Sequence, residues 1–84
     1  MLGFIEYTDN EIADFHRIIV NNVKRIRMHK NVTQLDLALT IGHQSVSMIG
    51  KIEAGLENKH YNVEQLYKIS KALDVDICEF FVKK

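Results

Sequence analysis

The stretch TQLDLALTIGHQSVSMIGKIEAG, from Thr33 to Gly55, repeats its apolar residues at helical spacing but is broken near its middle by Gly42. A glycine in the left-handed backbone region ends a helix and turns the chain sharply, with no Cβ penalty. Thr33 therefore caps a short helix through Thr40, with Leu37, Ala38 and Ile41 on its inner side. A second short helix runs from about Ser45 to Ala54, with Ile49 and Ile52 inward, and Gly55 ends it in turn. Two such helices joined by a short glycine-containing turn form a helix-turn-helix unit, whose second helix projects from its domain.

The remaining chain reads as helical too. Proline is absent, and capping patterns recur ahead of apolar runs: Thr8 with Glu11, Asn62 with Gln65, and Asp76 with Glu79. Ile12, Phe15, Ile19, Val23 and Ile26 follow three- and four-residue steps, which predicts a long first helix over residues 9–30 with one continuous apolar stripe and a stop at Asn31. Leu66, Ile69 and Leu73 form the stripe of a fourth helix, and Ile77, Phe80 and Phe81 belong to a short fifth one; together these occupy residues 62–82. The opening MLGFIEY is an N-terminal arm over residues 1–8, either extended or a short strand that needs a partner. A length of 84 residues, 46% hydrophobic and 26% charged, suits one all-α domain with a small core.

Charge and composition narrow the function. Formal net charge is zero, but residues 15–60 carry seven basic residues against three acidic ones, while acidic charge gathers at both ends. That middle can face nucleic acid; the basic run KRIRMHK equally suits a solvated helix face. No apolar run approaches the roughly 18 residues of a membrane span, and the acidic N-terminus is unlike a secretory signal, so a cytoplasmic location is the expectation. Cys78 is the single cysteine and cannot form an internal disulfide. His16, His29, His43 and His60 fall on different segments without a matching carboxylate or thiolate array, so no metal or other cofactor is expected. Ser45 and His43 lack a third orienting group, and nothing else in the chain points to an enzyme.

Taken together, NNVKRIRMHKNVTQLDLALTIG, SMIGKIEAG and NVEQLYKISKALDVDICEFF resemble the phage-repressor and Cro type helix-turn-helix family, also called the xenobiotic-response-element family. The resemblance spans residues 22–81. It implies a five-helix, lambda-repressor-like DNA-binding domain with the helix-turn-helix at residues 33–55. It also implies an ion pair between Arg27 and Glu53 that braces the first helix against the recognition helix. The chain departs from the family pattern in carrying one extra residue in the turn GHQS. Leu35 and Leu39 stand where polar side chains are usual, which suggests packing against the N-terminal segment.

At about 100° per residue, taking Ile49 and Ile52 as the buried direction, Gln44, Ser47, Gly50, Lys51 and Ala54 point outward. The family's base-reading positions fall on Val46, Ser47 and Lys51, with Gln44 and Ser45 at the helix entry. Lys51 can donate to guanine, Ser47 can serve either base type, Val46 can meet a thymine methyl, and Gln44 can pair with adenine. Gln44, Ser45 and Ser47 also suit plain cap and surface positions. Thr33 and Gln34 at the second helix's start, and Asn58, Lys59 and His60 after the third, are phosphate-contact candidates; Thr33 also suits a cap alone, and the loop residues a hydrophilic connection.

One small domain covers only part of a binding site, so a homodimer on double-stranded DNA is expected, with Phe80, Phe81 and Val82 at the interface and Tyr67 or MLGFIEY as further candidates. Phe80 also suits the monomer core. The reading is a transcriptional regulator, a repressor or a controller of the restriction-modification type. The rival is a helix-turn-helix that binds a protein partner, such as polymerase or a toxin.

Overall fold

The computed structural model describes residues 3–42 and 46–83. Among these, the architecture is all-helical. Helix α1 (Asp9–His29) begins where the Thr8 hydroxyl accepts from the Glu11 amide, and ends at Lys30 before Asn31 takes a left-handed φ of 60°. Helix α2 (Gln34–Thr40) starts where Thr33 accepts from the Asp36 amide. Gly42 follows it with φ 85°, a conformation that needs glycine for its backbone alone, because no atom lies within 4 Å of where a Cβ would stand. Helix α3 (Val46–Ala54) leads through Gly55, at φ 74°, into a 3₁₀ turn (Leu56–Asn58). Helix α4 (Val63–Leu73) opens on a complete capping box, with Asn62 and Gln65 each bonding the other's backbone amide.

The inner faces meet in one cluster. Ile19, Val23 and Ile26 of α1 pack with Leu37 and Ala38 of α2, Ile49 and Ile52 of α3, and Leu66, Ile69 and Leu73 of α4. Phe80 closes the cluster at 0% exposure, so it is a core residue and not the interface residue expected from sequence.

Two expectations are corrected. The fifth helix is a 3₁₀ helix (Ile77–Phe81), because Asp76 caps the Cys78 amide and the tighter turn drops Phe80 into the core. Its end is fixed by Asn22, which is buried in α1 and donates through Nδ2 to the carbonyls of Phe80 (2.9 Å) and Val82 (2.7 Å). Of the two alternatives for the N-terminal arm, the strand is not formed: residues 3–8 carry no secondary structure and are exposed, Phe4, Ile5 and Tyr7 included. Leu35 and Leu39 are also exposed, so they do not pack against that arm. The helix-turn-helix turn at residues 43–45, including the extra residue, lies outside the described residues.

Candidate nucleic-acid interface

The orientation of α3 follows from burial. Ile49 and Ile52 are fully enclosed, Val46, Ser47 and Ala54 are exposed, and Gly50 and Lys51 are half-buried on the flank between. Ser47 and Lys51 lie one helical turn apart on the outward face, so both can enter a groove together. Gln44 and Ser45 lie outside the described residues. The Lys51 ammonium sits 3.1 Å from Glu57 in the following turn, and holds that carboxyl below its usual range by hydrogen bonding and charge. An exposed pair of this kind is weak, so Lys51 can exchange Glu57 for another acceptor at little cost.

The base of α3 is fixed by a buried polar network. The Arg27 guanidinium meets the Glu53 carboxylate with two bonds, Nε to Oε2 at 2.8 Å and Nη2 to Oε1 at 2.9 Å. Arg27 also donates to the Val32 carbonyl at 2.6 Å, and the Gln34 amide donates to Glu53 Oε1 at 2.9 Å. One carboxylate thus ties α1, the start of α2 and α3 together, and every charged atom in the pair has a hydrogen-bond partner of the kind burial demands. Gln34 was expected on phosphate. Its side-chain amide is instead committed to Glu53, which leaves only its backbone for an anion at the start of α2. Thr33 is occupied as the cap.

Tyr61 packs beneath this network with its hydroxyl buried and, among the described residues, unbonded; burial and the nearby Glu53 carboxylate push its phenol well above the usual range.

The loop after α3 carries the other candidates. Asn58 is exposed with a left-handed φ of 54°, and Lys59 is half-buried. His60 Nδ1 lies 3.2 Å from the Asn58 carbonyl, while its ring stacks on that of His16 from α1, with centroids 3.7 Å apart and planes 20° from parallel. Burial and the neighbouring His60 lower the pKa of His16. Arg17 lays its guanidinium against Gly55, at the carbonyl end of α3, where a side chain on residue 55 would displace it. The structure therefore brings Asn58, Lys59 and His60 together with two α1 residues, His16 and Arg17, that the sequence reading left unassigned. No local pattern marks that meeting, because residues 16–17 and 55–60 are joined only by the fold.

Phe81 and Val82 are each 42% exposed, and Phe81 lies beside Phe15, the neighbour of His16, with ring centroids 6.4 Å apart. Tyr67 is exposed on α4 with Lys71 over its ring. Among the described residues no cluster of three or more histidine, cysteine or acidic side chains could hold a metal, and no helix is long and apolar enough to cross a membrane.

No curated protein matches the chain. A family model described as Helix-turn-helix matches residues 23–80, from the middle of α1 to the C-terminal 3₁₀ helix. That match covers most of the sequence and includes α2, α3 and the Arg27–Glu53 brace, and the chain belongs to the Cro/C1-type helix-turn-helix family of DNA-binding regulators.

Proposed function

We propose that the chain is a sequence-specific transcriptional regulator that acts as a homodimer on a pseudo-palindromic operator. The observation that carries this reading is the outward face of α3: Ser47 and Lys51 stand clear of a core sealed by Ile49 and Ile52, on a helix braced at Glu53. A rigid helix with short polar side chains and one lysine can enter the major groove and read base edges. In this reading Gln44, Ser45, Val46, Ser47 and Lys51 contact bases. The backbone amides at Thr33 and Gln34, together with Asn58, Lys59 and His60, hold phosphates on either side. A two-fold axis sets two copies of α3 about 34 Å apart, in successive grooves. Phe81 and Val82 with Phe15 supply the apolar surface for the dimer, and Phe80 supports it from the core. Repression by occupying a promoter is the simplest mechanism in this reading, and activation by touching polymerase, as in restriction-modification type controllers, is the other.

Selection of bound duplexes from a random library at two salt concentrations tests this. The reading requires an enriched inverted repeat whose binding weakens steeply with salt, and loss of that enrichment in Ser47→Ala with Lys51→Ala at unchanged folding. A specific observation favours a second reading: Leu35 and Leu39 are exposed four residues apart on α2, next to the face assigned to DNA. Exposed leucines at that spacing suit a protein partner. Salt-insensitive behaviour with no enriched repeat would support that alternative.

A further inference from the structure

Beside the projecting half of α1 lies an open cleft of about 320 Å³, walled by α1 on one side and by the loop that follows α3 on the other. His16 and Arg17 face it from α1, Lys59 and His60 from the loop. Asp9, on the first turn of α1, is the one carboxylate among its lining residues. Arg17 and Lys59 form no ion pair among the described residues, although Glu57 acts on Lys59 through space. Four basic side chains thus converge from two elements with a single acid to balance them. We propose that this cleft is a phosphate-binding site in which His16 and Arg17 of the first helix close on the anion together with Lys59 and His60.

The geometry suits an oxyanion with several acceptor oxygens. His60 has its Nδ1 turned to the Asn58 carbonyl, so Nε2 is the nitrogen left for a ligand, and its ring is stacked face to face on that of His16, which sets two imidazoles side by side in the lining of the cleft. Two stacked imidazoles resist charging together, and an anion bridging their N–H groups removes that resistance. The lowered pKa of His16, caused by burial and by His60, has the sign required of a pair waiting for such a partner. Arg17 adds a planar donor that can lie over residue 55 because that residue has no side chain. The phosphate can be free or part of the backbone of DNA; the second source rests on the DNA-binding function proposed above, and the first does not.

The test is a pH titration of the imidazole resonances of the full chain in a sulfonate buffer, with and without inorganic phosphate, and then with a short duplex. His29, exposed at the far end of α1, serves as the internal reference. A saturable upward shift in the titration midpoints of His16 and His60, absent from His29 and lost in both Arg17→Ala and Lys59→Ala at unchanged melting temperature, supports the site. If phosphate produces the shift and the duplex binds without it, the source is free phosphate. If the duplex produces it, alone or in competition with phosphate, the source is a backbone phosphate, and Arg17→Ala should lower the salt slope of duplex binding by about 1. Midpoints of His16 and His60 that follow His29 under both ligands overturn the proposal. A duplex that does not bind at all defeats the DNA reading and leaves the phosphate arm to decide the site.

Discussion

The two halves of α1 carry the same apolar spacing and meet opposite surroundings. Ile19, Val23 and Ile26 are 5%, 0% and 8% exposed, whereas Ile12 and Phe15, on the same stripe two turns and one turn before Ile19, are 43% and 51% exposed. The C-terminal half has α2, α3, α4 and the 3₁₀ helix to pack against; the N-terminal half meets the loop at residues 55–60 through His16 and Arg17 and the C-terminal segment through Phe15 and Phe81, and leaves Ile12 and Phe15 largely in solvent. The family match begins at residue 23, inside the buried half, and the projecting half lies outside it. Periodicity reports which face of a helix is apolar. Whether anything covers that face is decided elsewhere in the chain.

The largest expected effect lies in the buried half. Glu53→Gln removes the charge that balances Arg27, whose side chain is only 9% exposed, and should cost about 3–5 kcal/mol of stability. For a domain of this size each kcal/mol is worth about 4–8 °C, so thermal unfolding should show a fall of well over 10 °C, or outright unfolding. A variant that melts like the parent while losing DNA affinity would mean that Glu53 serves the interface and not the brace.

A matched pair of truncations addresses the contrast directly. Ile19→Ala leaves a cavity in the core and should cost about 2–4 kcal/mol by denaturant unfolding. Ile12→Ala, the same chemical change at a half-exposed site, should cost less than about 1 kcal/mol at low protein concentration. Equal losses would show that the projecting half is packed in solution and that the contrast is false.

The parts of the fold that sequence could reveal are those whose cause is local. Gly42 and Gly55 have the left-handed dihedrals that their helix-ending positions require, and the caps at Thr8, Thr33 and Asn62 sit where hydroxyl or amide side chains precede apolar runs. What escaped depends on distant residues. Asn22 sits on the apolar face of α1, and only the fold shows that it holds two carbonyls near the C-terminus. Gln34 looked like an anion donor until the fold brought Glu53 to it. Phe80 and Phe81 are neighbours of the same type, and the 3₁₀ geometry sends one inward and the other outward. Of the candidate site, the exposure of Ser47 and Ala54 on α3 could be read from angular position, whereas Gly50 and Lys51, expected outward, are half-buried, and the meeting of Arg17 and His16 with the loop at 55–60 could not be read at all.

A smaller expected effect on stability concerns Phe15, the aromatic residue of the projecting half that meets Phe81. In the dimer proposed here both belong to the interface. Phe15→Ser should change the unfolding free energy of the monomer by no more than about 0.5–1 kcal/mol, yet shift the sedimentation equilibrium toward the monomer and weaken operator binding at low protein concentration. Unchanged self-association would move the dimer contact away from this half of α1.

The smallest effect is at the junction of the two halves, where His16 faces His60 and Lys59 from the loop and Arg17 and Asp9 from its own helix. Its folded pKa lies below the ordinary 6.5, first because of burial and then because of His60. Between the folded value and 6.5 the unfolded chain binds more protons than the folded one, so stability rises with pH across that interval. The contribution is complete above 6.5 and is lost as pH falls through the folded value. In a buffer free of phosphate, the melting temperature should therefore decline as pH drops below about 6.5, and His16→Asn, which keeps a polar side chain but cannot titrate, should flatten that part of the curve. Added phosphate should flatten it as well, because an anion that favours charged imidazoles raises the folded pKa toward or past the unfolded one. A decline that survives His16→Asn unchanged would place the titrating group elsewhere and leave the stacked pair without a role in the pH response.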